Sequence, residues 1–309
     1  MSRNTEVFVI GGGPAGLSAA HVAAKLGAKT LLVDDSARVG GQLIKQTHRF
    51  FGSSNRDAGI RGITIADKLQ QDIKDVAARL TVLENTAAVG FYHNKEAGIL
   101  SQNAYERVTY QAAIVCTGAT ENSLTFENND LPGIYGAGGV QTLMNVHGIR
   151  PGQKILMVGS GNIGLIVSYQ LIQAGVEVVG LVEGMPTIGG YLVHASKIRR
   201  LGVPIHTSHT ILKALGTDGV EGAVLCRVDE KFQPVPNTEF EIKCDCICLA
   251  VGLTPLIDLF QQAQCRMVHV GELGGLVPLH DSSMRTTNPD IFVAGDASGI
   301  EEATTAILA

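Results

Sequence analysis

Two glycine-rich loops of the same kind are the strongest indication of the fold of this 309-residue chain. They are Gly11-Gly12-Gly13-Pro14-Ala15-Gly16 and Gly159-Ser160-Gly161-Asn162-Ile163-Gly164. A β-branched run at 6–10 precedes the first loop, and an Ala-rich stretch at helical spacing follows it at 17–26. The second loop likewise follows an apolar run and opens a predicted helix over 165–174. Each loop is therefore predicted to join a strand to a helix, the context that distinguishes a nucleotide loop from an ordinary glycine-rich turn.

Each predicted helix is followed by a strand that ends in an acidic residue. Asp34 lies 18 residues after Gly16, and Glu183 lies 19 residues after Gly164. A Gly-Gly pair begins six residues beyond each acid, at Gly40 and at Gly189. The repeated order indicates an internal duplication of one β–loop–α–β unit.

This order of elements suits a dinucleotide. The first glycine of such a loop permits the tight turn, the second lets a pyrophosphate approach the backbone, and the third lets helix and strand pack closely. The helix N-terminus offers N–H groups and a partial positive charge to the phosphates. The acid accepts hydrogen bonds from the adenosine ribose, a role that Asp34 and Glu183 fit. Two dinucleotides in one chain are the arrangement that transfers a hydride.

The acid of the second copy bears on the choice of nicotinamide cofactor. A carboxylate at Glu183 repels a 2′-phosphate, so NAD(H) is favoured over NADP(H). The basic pair Arg199-Arg200 leaves the alternative open that folding brings a cation to the ribose, although the end of a solvated helix is the favoured interpretation of this pair.

The composition indicates a packed globular protein. Charged residues make up 17% of the chain and apolar residues 45%, and the formal net charge is -5. Nucleic acid and anionic membranes attract basic surfaces, so neither is expected as a partner. The sequence shows no signal-peptide pattern and no apolar run of the ~18 residues that cross a bilayer. We therefore expect a cytoplasmic protein with reduced cysteines.

Three cysteines alternate at Cys244, Cys246 and Cys248. Alternate residues share one face of a strand, so a metal or cluster site is one interpretation. A buried strand that uses Cys as a small apolar residue is the favoured one, because thiolates two residues apart on a strand lie ~6.5 Å from each other, which suits a single ion poorly. No metal site is predicted.

The predicted fold is α/β, with two Rossmann-like three-layer ββα nucleotide-binding domains, the second inserted in the first. A strand at 290–294 precedes Gly295-Asp296 and is expected to return to the first domain. We place the first domain at 1–126 and 254–309, and the second at 127–253. Short strands between Leu80 and Tyr110 predict a small antiparallel meander, preceded by a helix that begins near Ile63.

A set of motifs resembles the two-dinucleotide flavoprotein reductases, of which thioredoxin reductase is the compact form. The set is Gly11–Gly16, Gly40-Gly41-Gln42, Thr117-Gly118 and Gly295-Asp296. The resemblance implies FAD in the first domain and NAD(P)H in the second. It further implies that Gly41-Gln42 lie along the flavin and that Asp296 holds the ribityl chain or the pyrophosphate. A helix from about residue 301 would point its N-terminus at the flavin pyrimidine.

The motifs and the resemblance together define the expected binding residues. Those expected for FAD are Gly11, Gly13, Pro14, Ala15, Gly16, Asp34, Asp35, Gly41, Gln42, Thr47, Thr117, Gly118, Gly295, Asp296, Glu302 and Ala303. Those expected for NAD are Gly159, Gly161, Asn162, Ile163, Gly164, Glu183 and Gly252. His48 lies just beyond the flavin-contacting residues and could handle the proton of flavin N5, but a hydrogen-bonded loop histidine is the favoured interpretation. No catalytic side chain is predicted, because hydride transfer needs proximity and stacking more than a side-chain acid.

Two observations narrow the resemblance. The chain has no Cys-x-x-Cys, the redox motif of thioredoxin reductase, so disulfide reduction is not expected. Residues 126–141, FENNDLPGIYGAGGVQ, resemble a segment of the larger subunits of amine and opine dehydrogenases, including those of sarcosine oxidase, dye-linked L-proline dehydrogenase, opine oxidase and hydrogen cyanide synthase. In that group the partner subunit often oxidises the amine, and the reductase-like subunit binds nucleotide and helps pass electrons on. Several relatives add a Cys-rich 2Fe–2S module after the Gly-Asp segment, which this sequence lacks.

The resulting hypothesis is an FAD-dependent NAD(P)H oxidoreductase that exchanges electrons with a partner subunit or small carrier, within an amine, amino-acid or opine dehydrogenase complex. The expected partner is a second flavoprotein subunit or an iron–sulfur carrier, and a homo-oligomer is compatible with the sequence. A non-catalytic nucleotide-binding scaffold and a free-standing NADH:acceptor reductase are the alternatives. The pattern at 303–309 stops within a helix, and the sequence leaves open whether this is a natural short form or a truncated one.

Overall fold

A computed structural model describes residues 2–50, 57–102, 104–300 and 307. The chain divides into two compact units, one formed by Met1–Thr120 with Leu253–Ala309 and the other by Glu121–Gly252. None of the helices within the described ranges has both the length and the apolar character needed to cross a bilayer.

Among the residues that the structure describes, the part of the chain up to the start of the second unit forms nine strands, two α-helices and a 3-10 helix at Gly41–Lys45. The strands are β1 (Ser2–Asn4), β2 (Val7–Ile10), β3 (Thr30–Val33), β4 (Leu80–Leu83), β5 (Thr86–Tyr92), β6 (Glu96–Ser101), β7 (Ala104–Thr109), β8 (Ala112–Val115) and β9 (Ala119–Glu121). The helices are α1 (Pro14–Lys25) and α2 (Gly62–Lys74).

The rest of the chain completes the second unit and then returns to the first. The strands of the second unit are β10 (Ile134–Gly136), β11 (Lys154–Val158), β12 (Glu177–Glu183), β13 (Ile205–Thr207), β14 (His209–Leu215), β15 (Gly222–Arg227), β16 (Phe240–Ile242) and β17 (Cys246–Leu249). Its helices are α3 (Ala137–Gln141), α4 (Asn162–Gln173) and α5 (Leu192–Arg200). The returning segment adds β18 (Leu253–Pro255), α6 (Asp258–Gln262), β19 (Met267–Val270), β20 (Gly275–Pro278) and β21 (Ile291–Val293).

The first unit is built on a five-stranded parallel sheet in the order β21-β8-β2-β3-β4. Because successive residues of a strand point to opposite faces, the central strand supplies two cores. Val9 packs with residues of α1 and α2 on one face. Phe8 and Ile10 pack on the other with Ile99 and Val108 of the meander β5-β6-β7, whose outer edge β1 completes. The unit therefore has a helical layer, a parallel sheet and a second sheet in which β5, β6 and β7 are antiparallel and β1 is parallel to β7.

The second unit repeats this architecture. Its parallel sheet has the order β10-β17-β11-β12-β13. Ile155 and Met157 pack with residues of α4 and α5, whereas Leu156 and Val158 pack with the antiparallel sheet β14-β15-β16. The fold is thus the predicted pair of Rossmann-like three-layer domains, the second inserted in the first.

Two details differ from the sequence-based expectations. The segment that begins at Leu80 forms β4, which joins the parallel sheet beside β3, so the meander begins only at Thr86. The units also change at 120/121 and 252/253, whereas we expected 126/127 and 253/254. Residues 121–126 belong to the second unit because the Glu121 carboxylate accepts a hydrogen bond from the Gly138 N–H at 2.6 Å and Phe126 is buried in that unit's core.

Candidate dinucleotide-binding sites

In the first glycine loop, the three glycines have different neighbours. Gly11 turns the chain at φ +101°, and a Cβ at this position would collide with the carbonyl of Cys116. A Cβ on Gly16 would collide with the carbonyl oxygen of Gly11, so this glycine lets α1 pack on β2. Around Gly13, by contrast, no atom of the described residues lies within 4 Å of a Cβ, apart from those of Gly13 and its chain neighbours. The space beside Gly13 is a cradle of the kind that a pyrophosphate needs.

The second loop has the same geometry. Gly159 has φ +103° and faces the carbonyl of Ala250, and a Cβ on Gly164 would collide with the carbonyl oxygen of Gly159. Gly161 occupies the position of Gly13, and apart from its chain neighbours nothing in the described parts of the chain lies within 4 Å of a Cβ placed there. The two loops therefore offer equivalent open positions.

Both loops lead into helix N-termini that can receive phosphate oxygens. Gly13 is the N-cap of α1, with Pro14 at the first helical position, and Gly161 is the N-cap of α4. No side chain from the described residues caps either helix. Backbone N–H groups of a first helical turn and the positive end of the helix dipole together bind anions.

The acid at the end of β3 is bonded to the first loop. Asp34 is 9% exposed, and its Oδ2 accepts a hydrogen bond from the Gly12 N–H at 2.5 Å, while Oδ1 accepts one from the Ser36 N–H at 2.8 Å. A carboxylate has about four acceptor positions, so two are left for ribose hydroxyls. Asp34 thus holds the loop in place and can bind the sugar with the same group.

The acid at the end of β12 repeats these bonds and adds one. Glu183 Oε2 accepts from the Ser160 N–H at 2.9 Å, and Oε1 accepts from the Met185 N–H at 2.9 Å. The Ser160 hydroxyl also donates to Oε2, at 2.7 Å. Sequence reasoning missed this role of Ser160, for which the only signal is a hydroxyl residue at the middle of the loop.

The Gly-Gly pairs close over both loops. The Gly40 N–H donates to the carbonyl of Gly12 at 2.7 Å, and a Cβ on Gly41, at φ +53°, would lie 2.7 Å from the Cα of Gly13. In the second unit the Gly190 N–H donates to the carbonyl of Ser160 at 2.9 Å. The duplication therefore extends to the contacts that cover each loop.

The other residues expected at the first site fall into three groups. Thr117-Gly118 follow β8, the neighbour of β2 in the parallel sheet, and Gly295-Asp296 begin a short 3-10 helix soon after β21, the strand beyond β8. The carboxyl ends of parallel strands meet at one edge, which is where the first loop lies. Gln42 and Asp35 are exposed, and the Thr47 carbonyl accepts a hydrogen bond from Arg61 at 2.9 Å. Glu302 and Ala303 lie outside the described residues.

At the second site the expected residues are engaged to different extents. The Asn162 side chain is already used, because its Oδ1 accepts a hydrogen bond from the Tyr191 N–H at 2.8 Å and so fixes the start of α5. Ile163 is 38% exposed, and Gly252 follows β17 at φ +111°.

His48 of the first unit packs against Phe50, with ring centroids 4.8 Å apart, and its proposed part in flavin chemistry stays a prediction.

The alternating cysteines lie in two different cores. Cys246 and Cys248 belong to β17 and pack towards the helices, whereas Cys244 precedes the strand and packs towards the antiparallel sheet, so the three do not share one face. Within the described ranges, no group of His, Cys, Asp or Glu is arranged to hold a metal ion. Burial raises the pKa of Cys116 and Cys246 to about 12 and that of Cys244 to about 11. These thiols are therefore poor nucleophiles at neutral pH.

Comparison with known proteins places these features in a family. The sequence matches the family described as pyridine nucleotide-disulphide oxidoreductase over residues 5–309. It is 26% identical over 311 residues to one of the subunits of opine oxidase from Agrobacterium tumefaciens (strain Ach5), covering 96% of this chain and 61% of that protein. It is 30% identical over 269 residues to the alpha subunit of sarcosine oxidase from Rhizobium meliloti (strain 1021), covering 82% of this chain and 25% of that protein.

Solved structures share the fold at lower identity. Thioredoxin reductase of T. acidophilum superposes with a TM-score of 0.80 at 18% identity, covering 99% of this chain and 94% of that chain. L-proline dehydrogenase from P. horikoshii superposes with a TM-score of 0.73 at 21% identity, covering 99% of this chain and 53% of that chain. The chain thus spans most of the reductase but only about half of the dehydrogenase chain.

Proposed function

The chain belongs to the pyridine nucleotide-disulphide oxidoreductase family, and from that premise we propose that it is an FAD-dependent oxidoreductase that transfers hydride between NAD(H) and FAD. Its cofactors are FAD and a nicotinamide dinucleotide. The observation that carries the proposal is the duplicated loop, in which an open glycine, an uncapped helix N-terminus and a loop-bonded acid recur in each unit. We assign FAD to the first unit, where Gly41, Thr117 and Asp296 match the flavoprotein pattern, and NAD(H) to the second.

The chain's own residues would bind and orient the two cofactors. The N-termini of α1 and α4 would hold the pyrophosphates, and Asp34 and Glu183 would accept the ribose hydroxyls. Gly13 and Gly161 leave the space that this approach requires. The flavin, when bound, supplies the two-electron chemistry, and the protein contributes proximity and orientation.

The relatives support a place for this activity in a larger assembly. The opine oxidase and sarcosine oxidase relatives are both named as subunits, and this chain spans 61% of the first and 25% of the second. We propose that electrons pass between the FAD and a partner, either a second flavoprotein that oxidises an amine or opine or an iron–sulfur carrier. The high pKa values of the buried thiols support a route that uses no redox disulfide.

Anaerobic titration with NADH tests the proposal directly. The purified protein, loaded with FAD, should lose its oxidised-flavin absorbance as NADH is added. Bound flavin that NADH never bleaches would contradict hydride transfer, and co-purification with a second flavoprotein would then favour a nucleotide-binding scaffold. Steady-state oxidation of NADH by the isolated chain would instead indicate a free-standing reductase.

A further inference from the structure

Phe232 combines an exposed ring with an unusual backbone conformation. It is 57% exposed, the most exposed phenylalanine among those that the structure describes. Its φ of +60° lies in the left-handed region, which bulky side chains rarely adopt. Phe232 therefore combines a backbone conformation that is unfavourable for a bulky residue with a ring that buries little apolar area.

The turn that carries Phe232 is held by its own hydrogen bonds. The Phe232 N–H donates to the carbonyl of Asp229 at 3.0 Å, and the Asp229 N–H donates to the carbonyl of Gln233 at 3.0 Å. The Asp229 Oδ1 accepts from the N–H groups of Lys231 and Gln233, both at 2.8 Å. These bonds fix the backbone from which the Phe232 ring projects.

The turn lies beside the acid of the second site. The Val228 N–H donates to the carbonyl of Ser208 at 2.8 Å, and the Ser208 N–H donates to the carbonyl of Met185 at 2.9 Å. A Cβ placed on Gly184, the residue after Glu183, would lie 3.2 Å from Cε1 of Phe232. The ring therefore packs on the backbone immediately after the carboxylate that we assign to the ribose.

The chemistry of this rim suits a small planar ligand. Met185 is 49% exposed, and its polarizable thioether is a good contact for an aromatic ring. Phe232 itself is flanked by the exposed polar residues Lys231 and Gln233, so it is an isolated ring rather than part of a continuous apolar face. A flat heteroaromatic ring attached to the ribose held by Glu183 would meet both apolar side chains.

We propose that Phe232, with Met185, forms the adenine-binding rim of the second dinucleotide site. The inference rests on the proposed function in that the adenine belongs to the nicotinamide dinucleotide. Phe232 is then a specificity residue for the adenosine half of the cofactor and takes no part in hydride transfer. The strained turn has a purpose, because it presents the ring before the ligand arrives.

Calorimetric titration of the FAD-loaded protein with ADP-ribose and with nicotinamide mononucleotide tests this inference. ADP-ribose contains adenine and the mononucleotide does not. Asn tolerates the left-handed conformation, so Phe232→Asn removes the ring without straining the turn further. This variant should bind ADP-ribose about tenfold more weakly, the size of effect that loss of base–aromatic stacking produces, and should bind the mononucleotide as the wild type does.

Three further variants sharpen the result. Phe232→Tyr keeps the ring and should keep ADP-ribose affinity. Gln233→Asn changes the same turn without touching the ring and should leave both ligands unaffected. Gly184→Ala should weaken ADP-ribose binding because the added methyl would displace the ring, and it keeps the inference testable if Phe232→Asn fails to fold.

The outcomes separate this inference from the proposed function. Unchanged ADP-ribose affinity in Phe232→Asn overturns the inference, even if NADH bleaches the flavin. Equal weakening of both ligands also overturns it, since that result indicates a structural role. ADP-ribose binding that depends on Phe232 supports the inference even if NADH never bleaches the flavin, in which case only the proposed hydride transfer fails.

Discussion

At the scale of single residues, Gly161 and Gly164 are three positions apart yet are glycines for different reasons. Gly164 is required by the fold, because a Cβ would collide with the carbonyl oxygen of Gly159. A Cβ on Gly161 would have no atom of the described chain within 4 Å apart from its chain neighbours, so packing does not require a glycine there. The approach of a pyrophosphate to the backbone, which we propose for this site, would require a glycine at this position.

This difference predicts opposite effects of one substitution at two positions. The free energy of unfolding of Gly161→Ala should lie within about 1 kcal/mol of the wild-type value, because the new methyl enters open space at a helix N-cap. The same variant should bind NADH much more weakly, since the methyl occupies the place of the pyrophosphate. Gly164→Ala should lose several times more stability, because α4 must move away from β11. Urea unfolding and NADH titration of both variants measure the two effects, and a strongly destabilised Gly161→Ala would contradict the assignment.

A second prediction at this scale concerns the buried thiols. Burial raises the pKa of Cys116 from 9.0 to about 12, so the folded state keeps a proton that the unfolded chain loses first. The resulting stabilisation is complete below the unfolded pKa and is lost as pH rises from about 9 towards 12. Between pH 8 and pH 10 such a thiol should lower the free energy of unfolding by about 1.4 kcal/mol. Urea unfolding at the two pH values measures this effect. The fall in the free energy of unfolding should be smaller in Cys116→Ala than in the wild type by that amount. An identical pH dependence in both proteins would contradict the prediction.

At the scale of elements, the ends of β3 and β12 each carry a carboxylate that accepts equivalent backbone hydrogen bonds, although one is Asp34 and the other is Glu183. Both acids accept from a loop N–H and from the N–H two residues further on. Glu183 also accepts the Ser160 hydroxyl, which leaves it with one acceptor position where Asp34 has two. In the function that we propose, the second site would therefore offer the ribose fewer hydrogen bonds than the first, which suits a cofactor that must exchange.

The charge at the end of β12 predicts the choice of cofactor. Glu183→Gln should raise KM for NADH about tenfold, because the amide has one oxygen for three donors. KM for NADPH should change less, because the loss of repulsion between the carboxylate and the 2′-phosphate offsets part of the weakening. The ratio of the two KM values should therefore move towards one. Steady-state kinetics with both cofactors and an artificial electron acceptor measure the ratio.

The basic pair at the end of α5 provides the control for that measurement. Arg199 and Arg200 are exposed in the last turn of the helix. Replacing both by Gln should leave the two KM values unchanged. A selective rise in KM for NADPH would show instead that this pair reaches the 2′-phosphate.

The sequence predicts elements well where periodicity and loop chemistry agree. The apolar run before the second glycine loop forms β11, and each of the two loops joins a strand to a helix as expected. The pairing of β4 with β3 could not be predicted, because the sequence of one strand does not show which sheet has a free edge for it. The Ser160 hydroxyl bond and the Phe232 turn escape prediction because each depends on contacts between residues far apart in the chain.

At the scale of the whole molecule, the two units have parallel sheets of the same order, but the first strand of each order comes from a different part of the chain. β10 leads into its sheet from the start of the second unit, whereas the equivalent β21 follows the entire insertion. The second unit is therefore continuous in sequence and has its own two cores.

Continuity predicts that residues 121–252 fold when expressed alone. This fragment should unfold cooperatively in urea and should bind ADP-ribose. A fragment of residues 127–253 is the matched comparison, and it should be less stable because it lacks both the Glu121 carboxylate that binds Gly138 and the buried side chain of Phe126. Absence of a cooperative transition in the longer fragment would contradict independent folding, and equal stability of the two would favour the boundary at 126/127.

The late position of β21 has a consequence for synthesis on the ribosome. β8 pairs with β2 on one side and with β21 on the other, so its outer edge stays unpaired until residues 291–293 have been translated. The unit that contains the first residues of the chain is thus the last to close, after the inserted unit has emerged in full. An open edge strand is a template for pairing with other chains. Aggregation during translation is therefore expected to begin at β8, and slow translation after residue 252 would lengthen the period of exposure.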